Sequence, residues 1–191
     1  MKDADSRALW DLKYEQGLPS LTKPDPFFLS AYEQFVHPSF SNGGLALDLA
    51  GGTGRHALWL ANRKWNVTVV DVSRVAIKQL RHAANDSMVE LNLCEVGAAQ
   101  YDFGAKRFDL IVLFYYLDRS LFPKIISALN VGGFVICKLA VSWGSEIEAG
   151  GDQPLSRGEL VSLFSELEAI DHRERPVRDR GVVEFVGQKS P

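Results

Sequence analysis

Cysteine is scarce in this chain: Cys94 and Cys137 are the only two among 191 residues. Neither stands in a ligand-spaced pair, which argues against a metal site and against a disulfide framework. Both fall in apolar, strand-like runs, so buried and reduced thiols are expected, as in cytoplasm. Long hydrophobic runs are missing too. No stretch approaches the roughly 20 apolar residues of a membrane span. The opening MKDADSRALW has no apolar signal core. Strong charge of one sign is also absent, since 21 basic and 24 acidic residues leave a formal net charge of −3. That gives no global reason to expect nucleic acid as a partner. There is no internal repeat and no low-complexity segment. What remains is an ordinary globular composition, 46% hydrophobic and 24% charged, in a length that suits one domain with a sizeable core.

The richest stretch is LALDLAGGTGRHALWLA, residues 45–61. Leu45, Ala46, Leu47 and Leu49 read as a short strand with both faces covered. Asp48 places a carboxylate near that strand's carboxyl end. Gly51, Gly52 and Gly54 follow, and glycines there allow positive φ and close approach of a ligand to the backbone. From Thr53 the spacing turns helical. Strand, glycine-rich turn and helix start together form a nucleotide-type binding element. Gly52, Gly54 and Ala57 satisfy a dinucleotide fingerprint, and the same residues also satisfy D-x-A-x-G-x-G from Asp48 to Gly54.

Upstream, residues 6–16 read as a short amphipathic helix with Leu9, Leu12 and Tyr14 near one face, ended by Gly17 and Pro19. A proline-containing linker leads to Asp25, which can cap a helix that has Pro26 at its first position. Phe27, Phe28, Leu29, Tyr32, Phe35 and Val36 on that helix suit core packing. Tyr14 and one or two of the phenylalanines could instead cover a ligand. Downstream, WNVTVV predicts a second strand ending at Asp71, 17 residues beyond Gly54. An acid there can accept hydrogen bonds from two ribose hydroxyls, or cap the next helix, for which Ser73 is also available. Further strands are expected over 89–96, 107–114 and 134–141, with helices over 73–84 and from about 121 to 129. Asn130 to Gly133 reads as a helix-ending turn. A long polar loop spans 142–154. A helix capped by Ser156 and Glu159 follows, then two strands over 169–177 and 181–186. The mixed charges of DHRERPVRDR read as a solvated sheet edge.

Strand and helix in alternation argue for an α/β fold with a doubly wound parallel sheet, whose ligands bind at the carboxyl ends of the strands. Asp48 with its glycines, Asp71, the run from Ala98 to Gln100, the segment from Phe114 to Arg119 and the end of the fifth strand are thereby expected to share one crevice. An amino-terminal helical extension (1–42), an α/β core (43–141) and a closing segment (142–191) make up one domain over 1–191.

On these motifs the chain resembles a class I S-adenosylmethionine-dependent methyltransferase. DLAGGTGRHALWLA resembles the first motif of that class and VVDVS the ribose-binding second. RFDLIVLFYYLDRSLFPKIISALNVGGFVICK resembles the fourth strand, its helix and the turn into the fifth. GTGRHALWLA and YYLDRSLF are similar to the small tellurite-resistance (TehB-like) group. The resemblance implies a Rossmann-like, mostly parallel seven-stranded sheet of order 3-2-1-4-5-7-6, the seventh strand antiparallel. It implies S-adenosyl-L-methionine as methyl donor and S-adenosyl-L-homocysteine as product. Asp48 and the backbone of Ala50, Gly51, Gly52 and Gly54 would hold the methionyl end. Asp71 would bind the ribose and Val72 line the adenine. Ala98 stands where an aspartate commonly holds the adenine amine, with Gln100 nearby as a substitute. Phe114 and Tyr115 would lie beside the methyl group, and Tyr14 could close over it. Ala50 replaces the motif's first glycine, a small-for-small exchange.

Transfer from an activated sulfonium is a direct in-line displacement that needs alignment and exclusion of water, with no metal and no covalent nucleophile. No catalytic residue is fixed by the sequence. Tyr115, Asp118 and Arg119 are the candidates; the last two could equally form a structural pair at a helix start. His37 and His56 read as ordinary loop and backbone-contacting residues. A small-molecule acceptor, no nucleic acid, no membrane and a monomer or homodimer are expected. The alternatives are a catalytically degenerate cofactor-binding scaffold or a nicotinamide-dependent oxidoreductase. The last lacks a Y-x-x-x-K pair and room for a second domain.

Overall fold

The expected elements fold in the expected order in a computed structural model that describes residues 2–18, 21–143, 153–177 and 180–190. The chain divides into two compact units, Met1–Asp102 and Phe103–Pro191. Seven strands form a sheet of order β3-β2-β1-β4-β5-β7-β6, numbered along the chain.

In the first unit, α1 spans Lys2–Glu15 and α2 spans Pro26–Ala31. Asp25 caps α2 by accepting the N–H of Phe27 at 2.9 Å, and Pro26 takes the first helical position, where its missing N–H costs nothing. The helix widens into one π turn over Tyr32–Val36. Its aromatics form core: Phe28 and Tyr32 are buried. Their rings meet Trp59 at 5.5 and 4.8 Å, and the Trp65 indole N–H donates to the Tyr32 hydroxyl at 3.0 Å. Strands β1 (Leu45–Leu49), β2 (Asn66–Asp71) and β3 (Leu91–Glu95) pair in parallel. Helices α3 (Arg55–Ala61) and α4 (Arg74–Asp86) are the crossovers between them, and Ser73 caps α4 through the Ala76 N–H at 3.1 Å.

Two expectations need correction in this unit. Leu9 and Leu12 are half exposed while Tyr14 is buried, because α1 is docked by polar contacts and not by an apolar face. Arg7 Nε donates to the Val72 carbonyl at 3.1 Å, and the Gln79 amide donates to the Tyr14 carbonyl at 3.2 Å. Cys94 is only partly buried on β3, whereas Cys137 is fully buried; both thiols are free.

The second unit holds β4 (Phe108–Phe114), α5 (Leu121–Ala128), β5 (Leu129–Val141), α6 (Glu159–Leu163), β6 (Glu168–Val177) and β7 (Arg180–Gln188). β4 and β5 are parallel, and β7 runs antiparallel to both β5 and β6. The turn expected at 130–133 is instead taken up within β5. Its register against β4 shifts so that Phe108 faces Leu129 and Leu110 faces Phe134. Gly132, at φ +80°, supplies the kink. The helix expected from Ser156 begins at Glu159, with Gly158 at φ +78° in the cap position. Half of the capping box survives, since the Ser156 N–H donates to Glu159 Oε2 at 2.8 Å. The helix stops at Leu163 because the Phe164 ring is drawn into a column between Phe122 (4.9 Å) and Phe185 (5.2 Å, stacked). Most of the polar loop at 142–154 and the 178–179 turn lie outside the described residues.

That column predicts a stability effect. Phe164→Ala removes a fully buried ring and is expected to cost about 3–5 kcal/mol, read as a shift in the urea midpoint. A loss below about 1 kcal/mol would mean that the column is not a core element.

Candidate functional site

The site begins where β1 ends. Asp48 is buried within the apolar strand, and its Oδ2 is the buried side-chain atom left without a hydrogen-bond partner among the described residues. Burial raises its pKa to about 7; Arg55 and the Ala57 N–H oppose this, while Asp71 adds to it. The next residues alternate in backbone hand: Ala50, Gly52 and Gly54 have φ of +51°, +58° and +74°. The exchange at Ala50 is therefore not neutral as its size suggests. The position requires a left-handed backbone, which an alanine adopts at a cost of about 1 kcal/mol. Gly51 is constrained by space instead, because a Cβ would sit 2.8 Å from Val69 Cγ1 and 2.9 Å from Asp48 Cγ. A Cβ on Gly52 would collide with the Tyr14 hydroxyl, and one on Gly54 with Leu80.

Asp71 closes the turn from the other side. Its Oδ2 accepts the Gly52 N–H at 2.8 Å and its Oδ1 accepts the Ser73 N–H at 2.8 Å. Burial raises its pKa, and these backbone donors hold the rise back. The capping alternative is met by the Ser73 hydroxyl, so Asp71 is left to join the two turns. The phenol of Tyr14 rests over Gly52. Its pKa is pushed above the ordinary value, first by burial and then by the charges of Asp71 and Asp48. Tyr14, Asp48, the glycine turn and Asp71 are thus one cluster. Val72 lies beside it, its carbonyl bonded to Arg7. Ala98 is buried on the short helical turn after β3, whereas Gln100 on the same turn is exposed. His56 accepts the Asp25 N–H at Nε2 (3.2 Å), a backbone contact as expected. His37 is exposed.

Sequence reasoning passed over Asp11. Its Oδ1 accepts the Ser73 hydroxyl at 2.6 Å and the Val75 N–H at 3.2 Å, pinning α1 to the start of α4. A lone acid in a polar helix carries no signal of such a contact.

In the second unit, Phe114 is buried and Tyr115 is half exposed at φ +60°, a conformation costly for an aromatic residue. Asp118 and Arg119 do not pair with each other. Asp118 Oδ1 accepts the Ser120 N–H (2.9 Å) and hydroxyl (2.7 Å). Arg119 forks onto Glu159 at 2.6 and 3.1 Å. Also missed were Lys138 and Glu184, facing each other across β5 and β7 with Nζ 2.9 Å from Oε1 and both side chains under 10% exposed. The signal was available: each is a charge inside an apolar strand run, FVICKLAV and VVEFV.

Residues 46–133 match the family model of the methyltransferase domain. That stretch of the chain is thus similar to a methyltransferase domain. The chain's fold is that of TehB from Haemophilus influenzae, at a TM-score of 0.74 and 17% identity over 93% of this chain. This chain spans 66% of that protein's length. A Burkholderia thailandensis 1,6-didemethyltoxoflavin-N1-methyltransferase, solved with 1,6-didemethyltoxoflavin and S-adenosylhomocysteine, matches at 0.72 and 16% over 98% of this chain and 88% of its own. The [4+2]-cyclase SpnF matches at 0.72 and 17%, over 86% and 80%. A search of curated proteins found no sequence match.

The Burkholderia neighbour holds S-adenosylhomocysteine, and the first unit of this chain fits a group of that kind. The turn has two glycines at positive φ and a third with no space for a Cβ, so backbone is presented closely. An orphaned buried carboxylate oxygen and a second buried acid suit a ligand that carries positive charge. Among the described residues, no group of three or more His, Cys, Asp or Glu could hold a metal ion, and no helix is long and apolar enough to cross a membrane.

Two predictions come from this glycine turn. Ala50→Gly relieves the left-handed alanine and is expected to raise stability by about 0.5–1 kcal/mol in urea unfolding; a loss would show that Ala50 is unstrained. Asp48 has a folded pKa of about 7 against an ordinary 3.8. The unfolded chain thus gives up that proton first, and stability falls as pH rises from about 4 to 7, by up to about 4 kcal/mol. Asp48→Asn should flatten the slope over that window. An unchanged slope would mean that Asp48 is already ionised in the native state.

Proposed function

We propose that this chain is an S-adenosylmethionine-dependent methyltransferase that acts on a small-molecule acceptor, working as one domain over 1–191. The observation that carries the cofactor half is the junction of Asp48, Gly52, Asp71 and Tyr14, where two buried acids meet one glycine turn. When bound, the cofactor supplies a methyl group already activated by its sulfonium. The chain binds, orients and excludes water. Asp48 and the backbone of Ala50, Gly51, Gly52 and Gly54 would hold the methionyl end. Asp71 would exchange a backbone partner for the ribose, Val72 would flank the adenine, and Ala98 and Gln100 would stand at its amine. Tyr14 would cover the group from α1. Phe114 and Tyr115 would lie beside the methionine portion and the methyl group. The absence of a global basic charge and a fold neighbour named for a small ring substrate support a small acceptor. A cytoplasmic monomer or homodimer is the form we expect.

A second reading has its own observation. Ala98 offers no carboxylate to the adenine, and a [4+2]-cyclase shares the fold, so the fold alone does not impose methyl transfer. A cofactor-binding scaffold without transfer is that second reading.

Titration calorimetry tests the cofactor binding on which both readings rest. S-adenosylmethionine and S-adenosylhomocysteine are expected to bind with Kd in the micromolar range, about 8 kcal/mol, and Asp71→Ala should weaken both at least about tenfold, or 1.4 kcal/mol. Binding of NAD alone would overturn the methyl-transfer reading. Binding of neither donor nor product would favour a degenerate site.

A further inference from the structure

A chain of contacts in the first unit returns on itself. Asp11 Oδ1, on α1, accepts the Ser73 hydroxyl at 2.6 Å. The Ser73 N–H donates to Asp71 Oδ1 at 2.8 Å, and the other oxygen of Asp71 accepts the Gly52 N–H at 2.8 Å. The Tyr14 hydroxyl lies over Gly52, where it leaves no room for a Cβ. Tyr14 stands three residues after Asp11, so both side chains leave the same face of α1. The charge of Asp11 reaches Asp71. Burial raises the Asp71 pKa, the Ser73 and Gly52 donors hold it back, and Asp11 adds to the rise.

α1 is docked by contacts that water can replace. Asp11 Oδ1 also accepts the Val75 N–H at 3.2 Å, Arg7 Nε donates to the Val72 carbonyl at 3.1 Å, and the Gln79 amide donates to the Tyr14 carbonyl at 3.2 Å. Leu9 and Leu12 are 51% and 52% exposed on the same helix. An apolar face turned inwards would bury those leucines and seal the helix in place. Polar contacts at a part-buried boundary exchange with water at small net cost. The helix is thus held, yet releasable. A ligand that comes to the backbone of Gly52 from the α1 side meets Tyr14 first. Among the docking contacts, Asp11 is the one that joins both ends of the circuit: it reaches Asp71 through Ser73, and Tyr14 through one turn of helix.

We propose that Asp11 is a positioning residue of the donor site, holding the Asp71 carboxylate and the Tyr14 cover in register at Gly52 so that α1 opens and closes over the donor as one piece. This deepens the methyltransferase reading and rests on it. Asp11 acts through its two neighbours. It sets the fraction of chains in which the cover is docked, and apparent affinity falls in proportion to that fraction.

S-adenosylhomocysteine binding to the full chain, followed by titration calorimetry and stopped flow, is the test. Asp11→Ala is expected to weaken binding about tenfold, mostly as faster release. Asp11→Asn keeps an acceptor oxygen for Ser73 and Val75 and is expected to bring affinity back to within about threefold of the parent. An effect of charge alone would not give that recovery. Leu9→Ala, on the exposed side of α1, controls for changes in the helix and leaves binding as it is. In a Tyr14→Ala background, Asp11→Ala should add less than about threefold, because the cover it positions is gone. A merely structural role would multiply the two losses in full. Parent-like binding in Asp11→Ala, no recovery in Asp11→Asn, or full multiplication in the double variant would overturn the proposal. Urea midpoints report the folding of each variant. Should Asp11→Ala not fold, Asp11→Glu takes its place; it keeps the charge, displaces the oxygen and is expected to weaken binding severalfold. One readout needs no ligand. The Gly52 amide is expected to exchange faster in Asp11→Ala than in the parent or Leu9→Ala, because Asp71 loses the support of a fixed Ser73. If the parent binds no S-adenosylhomocysteine, the methyl-transfer reading falls, and the Gly52 exchange decides the positioning role: faster exchange supports it, unchanged exchange overturns it.

Discussion

The hydrogen bond from the Gly52 N–H to the Asp71 carboxylate holds the cofactor half together. It joins the turn after β1 to the turn after β2, and the other oxygen of Asp71 takes the Ser73 N–H at the start of α4. One carboxylate thus serves three elements at once. Because it is buried, each bond is strong and each would be costly to lose. Tyr14 packs over the same glycine, so α1 is placed by the turn as well. A larger residue at Gly52 would displace the phenol and the helix that carries it.

Both units bury charge, in different ways. In the first, Asp48 and Asp71 are raised towards neutrality by desolvation, with Arg55 and backbone donors in partial opposition. Such a pair stands ready to respond to an arriving cation, because the cost of ionising it falls when a positive group enters. In the second, the charge stays fully paired: Glu184 is held ionised by two cations across adjacent strands. The contrast separates two buried acids governed mainly by desolvation from one governed by its cation partners. On α1, Leu9 and Leu12 face outwards while Arg7, Asp11 and Tyr14 make its contacts.

Much of this was legible in the sequence because local chemistry and tertiary position agreed. Glycine at 52 and 54 permits the left-handed backbone the turn needs, while Ser73 before α4 and Pro26 opening α2 favour helix starts, and the fold uses each. Legibility failed where a distant group outweighed the local preference. Ser156 has the composition of a cap, yet Gly158 takes the position and its N–H goes to Glu174 at 2.7 Å on β6. Asn130 to Gly133 has the composition of a turn, yet the sheet absorbs it as a bulge. Arg119 and Asp118 are neighbours in sequence, and each found a different partner.

The alternation of strand and helix, the glycine turn and the acids at strand ends were determined by the sequence alone, because they depend on backbone freedom and on hydrophobic period, which are properties of a few adjacent residues. Only the tertiary structure decided which charges meet. Lys138 and Glu184 are 46 positions apart in the sequence and become partners through an antiparallel register. Tyr14 acquires its place over Gly52 from contacts made by Arg7 and Asp11 with the next strand-helix turn. The left-handed strain at Ala50 and Tyr115 is likewise invisible in composition, since it is imposed by where the two ends of each turn are held. Electrostatics follow distance in space, and the chain sets that distance only once it has folded.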